Sequence, residues 1–215
     1  QKEEAARIKA VFEHYALNED FVSEFRLLQA VSQSGSKSII ESARSADLVI
    51  MSQEDQEADR IDELNNQDNV IRDSGRPVLV IPQDYDGPEI GYSLLLGSSE
   101  TREATRAAHD LLLLAAPDAQ VCLLSIGSTN TDELANFGAN AMASTYARHG
   151  LRATTEHRGT AGKSICETLH DEALEVGADV IVTGAFGHSL SYDFIIGAAT
   201  RDLLRHATLP VMFSK

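Results

Sequence analysis

The stretch from residue 178 to residue 213 constrains the fold of this chain most strongly, because it alternates strand, glycine loop, helix and strand. Residues 178–183 are apolar and rich in β-branched side chains, which is typical of a strand buried on both faces. Gly184 and Gly187 follow directly, and Gly197 precedes a segment with helical spacing. This order predicts a parallel α/β sheet. A glycine loop at the carboxyl end of such a strand is typical of a phosphate site, and glycines there are also common as plain turn residues.

The same alternation continues along the chain, so the predicted fold class is α/β, an open doubly wound parallel sheet with helices on both faces. In the second half the predicted strands are residues 91–96, 121–126, 151–157, 178–183 and 210–213. In the first half the pattern predicts a helix at 4–17, a strand beginning at Phe21, a helix ending near Ala46, and strands at 46–51 and 77–81. An acidic stretch at 52–68 is expected to be a loop or a weak helix.

Composition narrows the possible partners. The net charge of −15 argues against nucleic acid and against an anionic membrane surface, because both attract positive proteins. No apolar run reaches membrane-spanning length, and no histidine or cysteine spacing is typical of a metal site. Cys122 and Cys166 lie in apolar patterns, which predicts buried free thiols in a reducing compartment. The expected location is therefore the cytoplasm.

Three short segments recur in the same order, which predicts a tandem repeat. Residues 37–41 match 163–167, residues 45–50 match 177–182, and residues 76–80 match 209–213. We therefore expect an incomplete, diverged first domain at 1–86 and a complete second domain at 87–215. In the first copy no glycine follows the strand until Gly75, and acidic residues stand there instead, so a phosphate is expected only in the second copy.

With these features the chain resembles the universal stress protein family in its tandem form. The resemblance is carried by the strand at 178–183, by Gly184, Gly187 and Gly197 with their spacing, and by Pro-Val-Met-Phe at 210–213. It implies a five-stranded sheet in the order 3-2-1-4-5, with the last strands pairing across a two-fold axis, either within a tandem chain or in self-association of subunits. It also implies a non-enzymatic stress-response module that binds ATP, AMP or another adenine nucleotide, with Mg²⁺ in the case of ATP.

The resemblance also implies which residues bind the nucleotide. They are Thr183, Gly184 and Gly187 in the loop, Gly197, Ala198, Ala199 and Thr200 at the start of the next helix, and Leu96 and Gly97 at the end of the first strand. Two positions depart from the family pattern. Ala198 stands where Ser or Thr is usual, and Leu96 stands where an Asp is usual. The departure at Ala198 removes a polar contact worth about 1 kcal/mol, and the departure at Leu96 removes one worth about 1 to 3 kcal/mol.

Two alternatives remain open. One is a module that binds no nucleotide and acts through a dimer surface formed by 77–81 and 210–213. The other is an enzyme, suggested by the P-loop-like sequence at 159–164, but the first glycine of that motif is replaced by His157. Helix capping by Ser164 with an exposed Lys163 explains this sequence better. His188, Ser189 and Asp193 share one loop without a nucleophile elbow, so no catalytic residue is predicted.

Overall fold

The computed structural model describes residues 2–17, 19–27, 35–54, 66–87, 89–127, 133–187 and 196–215. It separates into two compact units, Gln1–Ser38 and Ile39–Lys215. The second unit therefore contains strands of both sequence copies. The division into domains at 1–86 and 87–215 stays a prediction.

The first unit is built around one helix, α1 (Lys2–Ala16), which agrees with the helix predicted at 4–17. The rings of Phe12 and Phe25 lie 5.7 Å apart. Residues 22–27 form no strand, so the strand predicted from Phe21 is wrong over this range. The reason is that a strand needs a hydrogen-bonded neighbour, and the described residues of this unit provide none.

The other elements alternate along the chain. They are α2 (Gly35–Ala43), β1 (Val49–Ser52), α3 (Asn66–Asp73), β2 (Val78–Ile81), β3 (Ser93–Ser98), α4 (Arg102–Asp110), β4 (Gln120–Ile126), α5 (Glu133–Arg148), β5 (Arg152–Arg158), α6 (Ile165–Glu175), β6 (Val180–Gly184), α7 (Ile196–His206) and β7 (Val211–Ser214). A 3-10 turn, Leu111–Leu113, ends α4.

The sheet has seven strands in the order β1-β2-β7-β6-β3-β4-β5. The predicted α/β class is confirmed, and the sheet contains two strands more than the five expected for one copy. The five strands after residue 87 lie in the order third, second, first, fourth, fifth, and β1 and β2 extend them. The extension forms because β2 pairs antiparallel with β7, with Val78 opposite Phe213 and Leu79 opposite Met212. All other neighbouring strands are parallel.

Two strand pairs repeat the same register. Val49 N donates to Pro77 O at 3.0 Å, and Ile181 N donates to Pro210 O at 2.9 Å. The pair β1–β2 of the first copy is therefore hydrogen-bonded as the pair β6–β7 of the second. This match supports the tandem repeat read from the sequence.

The sheet is covered on both faces by apolar layers. Helices α4 and α5 cover one face, where Tyr146 is fully buried and donates to Ala108 O at 2.7 Å. Helices α6 and α7 lie on the other face, over Leu95, Ile181 and other buried side chains. Within the described ranges, no helix is both long and apolar enough to cross a membrane.

Side-chain caps set where two helices of the second copy begin. Thr101 caps α4, since its hydroxyl accepts from Ala104 N at 3.2 Å. Ser164 and Glu167 form a capping box at the start of α6. These caps satisfy backbone amides that the first helical turn leaves unpaired. The cap at Thr101 fixes the first turn of α4, and this turn lies against the glycine loop.

Candidate functional site

The candidate site lies at the carboxyl ends of β3 and β6. These strands are neighbours, and Gly97 lies opposite Thr183 in their register. The chain leaves β3 toward β4 on one side, while β6 lies on the other. This is the switch point of a doubly wound sheet, where a crevice for ligands opens. A side chain at Gly97 would begin 3.3 Å from Thr183 Oγ1, so the strand ends are closely packed here.

The glycines of the loop contact helix α4. A Cβ at Gly184 would lie 2.6 Å from Ala104 N and 2.6 Å from the carbonyl carbon of Glu103. A Cβ at Gly187 would lie 2.8 Å from Glu103 Oε2. Position 184 therefore requires glycine, with or without a ligand, because backbone atoms of α4 approach it, whereas the group close to Gly187 is the movable end of the Glu103 side chain.

The backbone of the loop is held by bonds within the chain. Ala185 N donates to Ser214 O at 2.8 Å, which extends the β6–β7 ladder. Phe186 N donates to Thr200 Oγ1 at 3.3 Å and so connects the loop to α7. Phe186 has a φ of 51°, the left-handed region that costs a bulky residue about 1 to 2 kcal/mol. Such strain is concentrated at functional sites and persists only where surrounding contacts hold it.

Two cations lie near Phe186. The guanidinium carbon of Arg72 stands 3.3 Å from the centre of the ring, and Lys215 Nζ stands 5.9 Å from it. Arg72 belongs to α3 of the first sequence copy. The loop of the second copy is thus partly covered by a residue of the first.

Glu103 is the acidic group of the site. It is only 4% exposed, and its Oε1 accepts from Arg102 Nε at 2.8 Å. Burial alone would raise its pKa. Hydrogen bonds from Arg102 and from its own backbone, with the charges of Arg102 and Lys215, hold the pKa below the ordinary value. Glu103 is therefore a carboxylate at neutral pH.

The predicted site residues lie at this edge of the sheet, and their side chains differ in exposure to solvent. Leu96 is 1% exposed and lies in the apolar layer beneath α4 and α5. In the first turn of α7, Ala198 is exposed, Ala199 is half-buried and Thr200 is 2% exposed. Thr200 is hydrogen-bonded to the loop itself. Gly197 lies in the same turn. The apolar Leu96 and the internally bonded loop fit a phosphate poorly, whereas the exposed Ala198 leaves its part of the first turn of α7 accessible to one.

Comparison with known proteins adds the family. The model of the universal stress protein family matches residues 94–215. The chain belongs to the universal stress protein family. A curated universal stress protein of Synechocystis sp. is 26% identical over 148 residues, which is 68% of this chain and 50% of the relative. The chain therefore spans about half the length of that relative.

Solved structures of universal stress proteins resemble this chain to different extents. A universal stress protein from Archaeoglobus fulgidus matches with a TM-score of 0.74 and 15% identity, over 100% of this chain and 77% of that chain. A universal stress protein from Archaeoglobus fulgidus in complex with dAMP matches with a TM-score of 0.40 and 21% identity, over 59% of this chain and 98% of that chain.

Other constellations of this universal stress protein have structural roles. Lys163 is exposed and pairs with Asp171, and Ser164 caps α6, as expected from the sequence. Ser125 Oγ and His157 Nδ1 lie 2.9 Å apart at the ends of β4 and β5. A nucleophile also needs an oriented base and an oxyanion hole, and the described contacts provide neither. His188, Ser189 and Asp193 lie outside the described residues.

A cavity and a cluster of metal ligands are two features that often mark a functional site, and both can be compared with the candidate site. Two cavities of about 440 and 490 Å³ lie away from the candidate site, one beside Gln53 and Tyr85 and one beside Cys122 and Arg152. In the part of the chain that the structure describes, no three or more histidine, cysteine or acidic residues could hold a metal ion.

Sequence reasoning missed Glu103, Phe186 and Arg72. Helical spacing could have found Glu103, because it precedes Ala107 by one turn and therefore lies on the buried face of α4. Phe186 stands between the two glycines, and its burial could have been suspected. No local signal identifies Arg72, because it comes from a distant part of the chain.

Proposed function

We propose that this universal stress protein is a non-enzymatic, cytoplasmic stress-response module whose second copy binds an adenine nucleotide. The carrying observation is the position of Gly97 and Thr183 at the switch point, next to the loop that Phe186 and Thr200 connect to α7. Shared family membership supports the ligand class, since one member is known in complex with dAMP. Bound nucleotide would stabilise the folded second copy, and a ligand at 100 times its dissociation constant adds about 2.7 kcal/mol.

The first experiment is denaturation of the purified protein with chromatography of any released small molecule. It is paired with thermal melts in the presence of adenosine, AMP or ATP with Mg²⁺. Released nucleotide, or a melting shift of a few degrees, is the expected result. No released nucleotide and no shift with any of the three ligands would contradict the proposal.

Ala198 provides a test of the site that leaves the loop intact. It is exposed in the first turn of α7, so side-chain changes there need not disturb packing. Ala198→Ser adds a hydroxyl and should strengthen binding about fivefold, a hydrogen bond of about 1 kcal/mol. Ala198→Asp should stabilise the helix through its dipole but weaken binding of a phosphate. Opposite effects on stability and binding would separate a ligand contact from a folding effect.

The alternative is a module that binds no nucleotide and acts through its surface. The pairing strands β2 and β7 do not provide that surface, because each already has a strand on both sides within the chain. Self-association of two chains therefore stays a prediction. The observation that favours the alternative lies on α1, where Ile8 is 50% exposed and Tyr15 is 73% exposed. Light scattering of the wild type and of Ile8→Ser with Tyr15→Ser tests it, and an unchanged mass would oppose it.

A further inference from the structure

Glu103 lies beside Gly187, where the loop has no side chain. Its Oε2 would be 2.8 Å from a Cβ at Gly187, and its Cβ would be 3.5 Å from the same point. The carboxylate therefore fills the space beside the last glycine of the loop. A phosphate brought to Gly187 would meet this group at short range.

Two cations, Arg102 and Lys215, act on the negative charge of Glu103. Arg102, its hydrogen-bonded partner, has an 86% exposed side chain, so water screens much of that charge. Lys215 acts on Glu103 through its charge and contributes to lowering its pKa. Glu103 therefore offsets part of the attraction that Lys215 exerts on an anion.

The hydrogen-bond donors of the loop give an independent observation. The amides of Ala185 and Phe186 would be natural donors to a phosphate in a glycine loop. Both already donate within the chain, to Ser214 O and to Thr200 Oγ1. A phosphate at this place would meet a carboxylate and would lack two of the donors that could offset the repulsion.

We propose that Glu103 determines ligand specificity by excluding ligands that place several phosphate charges beside Gly187. The proposal rests on the proposed function and narrows it to nucleosides and nucleoside monophosphates. Repulsion between close like charges, partly screened by water, should weaken binding about tenfold for each added phosphate. The expected order of affinity is adenosine or AMP first, then ADP, then ATP.

The test is calorimetric titration of the full chain with adenosine, AMP, ADP and ATP, without divalent cations. Three proteins are compared: wild type, Glu103→Gln and Glu175→Gln. Gln keeps the shape of Glu and can still accept from Arg102. Glu175 is the matched control, because it has a 69% exposed side chain on α6 and its replacement changes the net charge equally. Melting curves confirm that each variant is folded.

The expected result is that Glu103→Gln binds ATP at least tenfold more tightly than wild type and changes adenosine binding less than twofold. Glu175→Gln should match wild type. Equal ATP affinity in wild type and Glu103→Gln would overturn the role of Glu103 and leave nucleotide binding intact. If Glu103→Gln does not fold, the wild-type series decides, since affinity that rises with each added phosphate would overturn the proposal. No binding of any ligand to any variant would overturn the proposed function as well.

Discussion

The loops that follow β1 and β6 can be compared directly, because their strands are hydrogen-bonded in the same way. After β1, Gln53 N donates to Ile81 O at 2.7 Å, and after β6, Ala185 N donates to Ser214 O at 2.8 Å. The two loops therefore begin with the same backbone geometry. The side chains that follow differ, and they determine which groups a ligand would meet.

In the first copy, Glu54 Oε1 accepts from Gln67 N at 3.3 Å, so an internal carboxylate lies at the start of α3. In the second copy, the residue at the place of Glu54 is Phe186, and it donates its amide to Thr200. Gln67 and Thr200 are 3% and 2% exposed, and each connects its loop to the following helix, with the helix as donor in the first copy and the loop as donor in the second. The same backbone geometry can therefore carry either a loop whose carboxylate binds the start of the next helix or a glycine loop packed on α4.

The largest effect is expected from Gly184→Ala, compared with Ser52→Ala at the equivalent position. The added methyl at 184 would lie 2.6 Å from backbone atoms of α4, and overpacking of this kind costs about 3 kcal/mol of unfolding free energy. Ser52 is exposed, and its change should stay within about 0.5 kcal/mol. Urea unfolding of both variants is the measurement. Equal stability of the two would show that α4 does not require glycine at 184.

A second contrast compares helix α5 with helix α1, which share the pair Tyr-Ala near their ends. Tyr146 is fully buried, and its hydroxyl donates to Ala108 O at 2.7 Å. Tyr146→Phe removes that bond and should cost about 1.5 kcal/mol. Tyr15 is 73% exposed, so Tyr15→Phe should be neutral within about 0.5 kcal/mol. Denaturant melts decide, and a loss at Tyr15 as large as at Tyr146 would contradict the contrast.

A third variant sharpens the role of the connection between loop and helix. Thr200→Val keeps the shape of the side chain but leaves the buried amide of Phe186 without this acceptor, which should cost about 1 kcal/mol. Thr105→Val, on the exposed face of α4, is the matched control and should have little effect. Thermal unfolding tests both. A neutral Thr200→Val would mean that the amide finds another acceptor.

The smallest effects concern two buried carboxyls of the second copy, Glu103 and Glu172. Burial raises the pKa of Glu172, with Arg158 opposing, so its native form binds protons more tightly than the unfolded chain. Glu172 should therefore reduce stability as pH rises above about 4.5. The pKa of Glu103 is lowered, so its stabilisation is present above about 4.5 and is lost as pH falls below that value.

Urea titrations across this pH range test both signs. The free energy of unfolding of Glu172→Gln should fall less than that of wild type as pH rises above about 4.5, the ordinary pKa of the carboxyl group. Glu103→Gln should remove part of the stability gained as pH rises. Relative to wild type, the two substitutions should therefore change the pH dependence of stability with opposite signs. Responses of the same sign would contradict the pKa directions.

Much of the fold could be predicted from local patterns. The strands at 178–183 and 210–213 and the helix between them were found from apolar spacing and glycines, with boundaries shifted by one or two residues. The strand expected from Phe21 was wrong because its pattern carries no information about a pairing partner. The pairing of β2 with β7 was expected from the family resemblance, but the sequence left open whether it joins two copies within one chain or two chains, and only the structure places it within the chain.

The sequence by itself determined the alternation of strands and helices, the internal repeat and the family resemblance, because periodicity and glycine positions are local properties. Only the tertiary structure decided what the glycines contact. Gly184 and Gly187 lie against Glu103, about eighty residues earlier in the chain. Glycine permits close approach by any group, whether a phosphate or a helix, and the group that approaches is set by the packing of distant segments.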